Sequence, residues 1–284
     1  MFGQQIINGL ISGSSYALVA LGYTLIYGVL GLINLAQGEL YMAGAFGLWI
    51  GATILKLPLI GAIVTGLLTA GLVGLGMEKF VFRPLENRHP LIPMLAAIGL
   101  SIALQSFALL LFGPEEKPFP FTIDNTIYTI LELKISTVQI LIILSSILIL
   151  IFLFWYLKYS KWGKALLAVS MDREAAIIIG IEPHFCTSQA FFISGVLSGI
   201  AGILMAIYYN TTYPYMGVLP GLKGFCAAVL GGAGSIMGAI LGGIILGIAE
   251  NLGAAYISSG FKDGFAFAIL IFILLVKPQG IFGK

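Results

Sequence analysis

Three polar side chains stand within six residues of an otherwise apolar run: Asn34, Gln37 and Glu39 in INLAQGELYMAGA, residues 33–45. An acid beside two amides can hold a proton, gate a path or contact a small polar solute. At the centre of a bilayer an acidic side chain costs about 2.5–3.5 kcal/mol on insertion scales, so Glu39 belongs at an interface or against a polar cavity. Two readings follow, a polar turn at the membrane boundary or a pathway element that responds to conformational change. A second cluster, DREAAIIIGIEP at 172–183, sets Asp172, Arg173, Glu174 and Glu182 around an apolar core. Asp172 suits an N-cap, Glu174 sits where a first turn favours an acid, Gly180 suits the C′ position and Pro183 stops simple continuation. Ala175, Ala176 and Ile177 to Ile179 are too apolar for a free loop in water. Such a helix docks into a partner's groove or lies on the membrane surface.

The remaining reactive types make no catalytic set. His89 and His184 fall in expected loops, outside any metal-ligand spacing. Cys186 and Cys226 lie in different segments without CxxC spacing and read as small buried residues. Glu250 lies inside an apolar run and must face protein or a cavity, while Asp263 stands at a helix start. No catalytic residue, metal ligand or cofactor site is expected in this chain.

The elements that carry these residues follow from composition. Of 284 residues, 59% are hydrophobic and 9% charged, with a mean hydropathy of +1.05. A soluble domain carries about 25% charged residues. The expected fold is an all-α polytopic membrane protein, a single transmembrane domain over 1–284. Apolar runs long enough to span lie near 7–33, 40–55, 58–76, 91–113, 138–157, 188–208, 236–257 and 263–277. No alternating pattern of a membrane β-barrel is present. The net charge of +2 does not point to nucleic acid. No Lys or Arg precedes Lys56, so the first run lacks the basic start of a secretory signal and reads as a retained helix.

Basic residues orient the chain. Lys79, Arg83 and Arg88 in the 77–90 loop, and Lys158, Lys161, Lys164 and Arg173 in the 158–187 loop, read as cytoplasmic. The 114–137 loop, with Glu115, Glu116, Asp124 and Glu132 against Lys117 and Lys134, reads as external. The tail, with Lys277 and Lys284, reads as cytoplasmic, and the N-terminus falls outside. Parity then forces residues 209–235 to cross inward, although they hold Pro214, Gly217, Pro220 and several more glycines. Extended chain followed by a short helix near 222–231 fits, and such backbone is tolerated only inside protein or along a wet cavity. In GGAGSIMGAILGGIILG, residues 231–247, Gly234, Gly238 and Gly242 recur every four residues, and Gly243 and Gly247 repeat the spacing. That pattern predicts a smooth face for close helix packing; it lacks the GKS/T ending of a phosphate loop. Tyr208, Tyr209, Tyr213 and Tyr215 end the 188–208 helix and read as an interfacial belt or as a solute contact.

DREAAIIIGIEPHFCTSQAFFISGVLSGIAGIL resembles the cytoplasmic loop and following helix of the branched-chain amino acid ABC transporter permeases. INLAQGELYMAGA is similar to the early Asn-x-x-x-Gly-Glu segment of that family. GLKGFCAAVLGGAGSIMGAILGGIILGIAEN and LLVKPQGIFG resemble its C-terminal signature, and the likeness runs from about residue 5 to 283. The length and lack of a soluble domain match the shorter, H-type permease. The resemblance implies a subunit that pairs with a second homologous permease, two ATP-binding subunits and an extracytoplasmic substrate-binding protein. It implies that ATP and Mg are bound by the partner ATPases. It also implies that Asp172, Arg173, Glu174, Ala175, Ala176 and Gly180 form the loop helix that docks on an ATPase, and that the solute is a branched-chain or similar small apolar amino acid. The alternatives are a permease for an amide, urea or sugar, or a secondary transporter driven by an ion gradient, for which Glu39 and Glu250 would be the proton or ion relays.

Overall fold

A computed structural model describes residues 2–86, 88–121, 126–130, 133–277 and 279–282. Asp124, Glu132 and Lys284, used above to orient loops, lie outside the described residues. The chain begins with α1 (Phe2–Leu30), which ends where Gly31 takes a positive φ of 65°. There follow α2 (Gln37–Thr53) and α3 (Leu59–Met77), the latter prolonged by a π-helical turn (Glu78–Phe82) and one further turn, α4 (Arg83–Leu85). Helix α5 (Leu91–Phe112) leads to a loop with strands β1 (Lys117–Pro118), β2 (Ile127–Ile130) and β3 (Leu133–Ser136). Next come α6 (Thr137–Tyr159), the short α7 (Lys161–Met171) and α8 (Arg173–Ile178), and α9 (Pro183–Tyr209). After β4 (Thr211–Thr212) the chain ends with α10 (Val218–Gly231), α11 (Ile236–Tyr256) and α12 (Lys262–Val276).

Among the described residues, seven helical stretches are long and apolar enough to cross a membrane. The expected 40–55 span is α2, at 17 residues shorter than these seven. The expected broken element is α10, a 14-residue apolar helix that starts at Val218 rather than near 222. Pro220 is accommodated there because the first turn has no intrahelical partner for its missing N–H. The 77–90 stretch is less of a loop than expected, since α3 continues helically through Leu85. His184 is likewise not a loop residue but lies in the first turn of α9.

Contacts at the helix ends fix which segments share a face. Gln4 near the start of α1 exchanges two hydrogen bonds of 3.0 Å with the backbone of Lys134 in β3, so the N-terminus sits beside the β2–β3 hairpin. At the opposite end Arg173 of α8 pairs with Glu86, and Arg83 donates to Ser188 of α9 at 2.9 Å. The 77–90 and 158–187 segments therefore lie together. The C-terminal tail joins that end, where Ile281 N–H donates to the Leu230 carbonyl at 2.8 Å.

Helix α1 is buried along most of its length and packs against α9, α10 and α11. In lipid no hydrophobic force draws helices together, so close approach and dispersion must hold them. A Cβ added at Gly247 would strike the backbone of Gly13, and one at Gly44 would strike Gly199. These contacts knit α1 to α11 and α2 to α9. Around this centre α5, α6 and α12 turn bare apolar faces outward, with Leu110, Phe152 and Leu275 all largely exposed. Such faces are matched to lipid tails.

Candidate functional site

Two interrupted elements meet inside the bundle. After Leu30 the chain folds back, and α2 starts against the middle of α9. Gln37 Nε2 donates to Ser194 Oγ and Ser198 Oγ, each at 2.7 Å. Ser194 lies about 17 Å along α9 at 1.5 Å per residue. Asn34, Gln37 and Glu39 are all buried. Asn34 Oδ1 accepts from Ala36 N–H at 3.0 Å and its amide donates to Gln37 at 3.3 Å. The second interruption, residues 213–217, arrives at the same depth. The backbones of Gly38 and Gly217 touch so closely that a side chain on either would collide with the other's carbonyl. The N-termini of α2 and α10 are thus neighbours within the bundle. Broken helices of this kind mark solute sites in transporters.

Glu39 occupies the seam between this junction and α5. Its Oε1 accepts from Ser101 Oγ at 2.8 Å and Gln105 Nε2 at 2.7 Å, both on α5. Its Oε2 has no hydrogen-bond partner among the described residues. Glu39 borders a cavity of about 270 Å³ with Gly217, Gly221 and Leu222 and a more apolar one of about 200 Å³ with Phe46 and Leu111. Helix α5 otherwise touches the bundle sparsely. The carboxylate is the polar tie of a thinly attached helix.

A larger cavity of about 430 Å³ lies between α1, α10, α11 and α12. Its floor is Lys223, whose Nζ lies 2.8 Å from Glu250 Oε1, 2.5 Å from Asp263 Oδ1 and 3.4 Å from Tyr16 Oη. Lys223 and Glu250 are buried and Asp263 is half exposed. Glu250 is fully buried, as expected of an acid inside a spanning helix. Asp263 does begin a helix, but its carboxylate also serves Lys223. Lys223 was missed from the sequence; a lysine in a segment that parity forces through the membrane demands a buried partner, and Glu250 was available. Tyr209 and Tyr213 line this cavity, while Tyr208 meets Tyr209 edge to face and Tyr215 is exposed.

Helix α8 has the local structure its residues predict. Asp172 Oδ1 accepts from Ala175 N–H at 2.9 Å. Gly180, at φ 84°, donates to Ile177 while Ile181 donates to Ala176, which is the paired ending of a Schellman motif. Ala176 is buried, but Ile177, Ile178 and Ile179 are 54%, 85% and 72% exposed. Glu174 and Ala175 are exposed as well, and Arg173 binds Glu86, which also faces His184 Nδ1 at 3.6 Å.

The glycine series needs one correction. Gly234 does not continue the helix face of Gly238 and Gly242. It precedes α11 with φ 91°, a turn conformation that a side chain resists. Ser235 caps α11 by accepting from Gly238 N–H. Gly238 and Gly242 do meet a neighbouring backbone, that of α10 at Gly231 and Ala227. Gly243 and Gly247 face α1.

The fold and these interior polar sites define a multi-pass membrane protein built like a transporter subunit. A family model described as branched-chain amino acid transport system / permease component matches residues 5–274, and the chain belongs to that family. It is 38% identical to the high-affinity branched-chain amino acid transport system permease protein LivH of Escherichia coli K12, over all of this chain and 96% of that one. It is 37% identical to the corresponding protein BraD of Pseudomonas aeruginosa, over 99% of this chain and 95% of that one. Among solved structures, PsaBC from Streptococcus pneumoniae in complex with Fab matches 96% of this chain and 91% of that chain, at a TM-score of 0.50 and 18% identity, which is a likeness of fold.

Proposed function

We propose that this chain is a permease subunit of an ATP-driven importer for branched-chain or similar small apolar amino acids. It forms half of the pathway, beside a second homologous permease. Two ATP-binding subunits, which hold ATP and Mg, sit at the Arg173 end, and an extracytoplasmic binding protein docks at the Glu116 end. The Arg173 end is then cytoplasmic and carries the C-terminus, with the N-terminus outside, in a cell or inner membrane. Family membership supports the class of solute.

The observation that carries the coupling role is the bare apolar tip of α8. Ile177, Ile178 and Ile179 project from a helix capped at both ends, and nothing among the described residues covers them. Residues 172–180 dock in a groove of an ATPase, and Arg173 passes the motion through Glu86 to α3 and α9. Asn34, Gln37 and Glu39 form the responding element, since they join α2 to α9 and to the thinly held α5.

The test is a tagged pull-down from mild-detergent membranes, run on the wild type, Glu174→Lys and Gly180→Val. ATPase subunits and a second permease accompany the wild type, and both variants lose the ATPases while remaining in the membrane. Normal assembly and uptake in both variants would exclude docking through α8. A wild type that comes down alone in several mild detergents would turn attention to ion-coupled transport.

A further inference from the structure

Helix α6 reaches the Arg173 end of the bundle with its bare apolar side still turned outward, and that side continues past the end of the helix. Ile151 and Phe152 give way to Trp155 and Tyr159 on its last turns, and Trp162 follows at the start of α7, all largely exposed. Trp162 meets Phe185 of α9 with 4.9 Å between ring centroids, and Phe185 is exposed as well. Among these rings stand three lysines within seven residues, Lys158, Lys161 and Lys164, each exposed. None lies within ion-pair distance of a carboxylate among the described residues. Lys158 Nζ is 5.4 Å from the centre of the Tyr159 ring and 5.9 Å from that of Phe154, so its ammonium group rests against the outward side of α6. A Cβ added at Gly163 would strike the backbone of Tyr156 and Leu157, so α7 is folded tightly against the last turns of α6. Lys161 and Lys164, three residues apart, share one side of α7.

Lipid tails match the apolar length of α6, but they offer nothing to three unpaired ammonium groups at the point where the tails end. An anionic headgroup does. Rings at headgroup depth, joined to a lysine cluster directly after a spanning helix, are the features that an anionic bilayer surface attracts. We propose that the α6–α7 corner binds an anionic phospholipid of the leaflet at the Arg173 end. The lipid phosphate pairs with Lys158, Lys161 and Lys164. Trp155, Tyr159 and Trp162 lie at the level of the glycerol, and the acyl chains run along Ile151 and Phe152. Two observations favour a lipid over the groove of a partner protein: the charge is of one sign, and the corner is continuous with the lipid-facing side of α6. The proposal does not depend on the importer reading. It requires only that α6 spans the membrane.

The chain carries its own reporters. Of its three tryptophans, Trp155 and Trp162 are at the corner, while Trp49 of α2 packs edge-on against Phe112. In a Trp49→Phe background the remaining fluorescence therefore comes from the corner alone. The test places that full chain in lipid nanodiscs and compares quenching by brominated phosphatidylglycerol and brominated phosphatidylcholine at equal mole fraction. The anionic lipid is expected to quench at a several-fold lower mole fraction, since one lysine near an anionic surface corresponds to about fivefold in partition. The preference should fall to near unity in the triple variant Lys158→Gln, Lys161→Gln, Lys164→Gln and to an intermediate value in Lys161→Gln alone, with the unfolding temperature unchanged. Equal quenching by the two lipids in the parent chain, or an undiminished preference in the triple variant, would overturn the proposal. Should the triple variant fail to fold, the parent comparison and Lys161→Gln decide alone. Loss of ATPase subunits from the triple variant in a pull-down, with its lipid preference intact, would assign the corner to a partner protein and likewise overturn the lipid site.

Discussion

Glu39 and Glu250 are both carboxylates buried within one bundle, and their surroundings differ in kind. Glu250 lies against an ammonium group, Lys223, with Lys262 nearby. Glu39 has no cation within ion-pair distance among the described residues and is held by a hydroxyl and an amide. The first acid belongs to the rigid centre, where α10 and α11 touch backbone to backbone. The second belongs to a seam, where α5 leaves cavities on either side of the acid. A buried ion pair is costly to break because the surviving charge is stranded. Dipolar partners of one acid can exchange for others at much smaller cost. The difference is one of anchoring: Glu250 sits in an ion pair at the packed centre, and Glu39 in a dipolar site beside a sparsely packed helix.

The largest expected effect comes from breaking the fixed pair. Lys223→Met strands Glu250 in the interior and should destabilise the chain by about 3–5 kcal/mol. Thermal unfolding in detergent, followed by loss of monodisperse protein, measures it. Adding Glu250→Gln removes the stranded charge and should recover part of the loss. If Lys223→Met alone unfolds at the wild-type temperature, the two acids do not differ as described.

Glu39→Leu ranks second. It leaves Ser101 Oγ without its acceptor and Gln105 Nε2 with only Ser101 Oγ to donate to, at about 1–3 kcal/mol. Because those groups are on α5, the effect should be local. Hydrogen exchange should rise along Leu91–Phe112 while α1 and α11 stay protected. Uniform loss of protection across the bundle would mean that α5 is as integral as the centre.

Much of this contrast was legible beforehand. The spans were, because a membrane demands a length and a composition that few other structures share. The ends of α8 were, because Asp172 and Gly180 act on the backbone beside them. The depth of Gln37 was not, since its partners Ser194 and Ser198 lie about 160 residues away, and no local pattern encodes that pairing. Gly234 misled because a turn glycine at a four-residue spacing looks the same as a packing glycine. The strands of two to four residues were invisible for want of length. Lys223 was within reach. Parity carried its segment through the membrane, and an intramembrane charge is a site until its partner is found.

The smallest structural effect, and the finest test of the contrast, is Glu39→Gln. The amide oxygen replaces Oε1 and still accepts from Ser101 and Gln105, so stability should change by less than about 1 kcal/mol. The carboxylate charge, and with it the unpartnered Oε2, is gone. If Glu39 only fastens α5, uptake by the assembled importer stays near the wild-type rate. If the charge itself works in the moving seam, uptake falls while the unfolding temperature holds. A single pair of measurements on Glu39→Gln, unfolding temperature and uptake rate, separates a tether from a working charge.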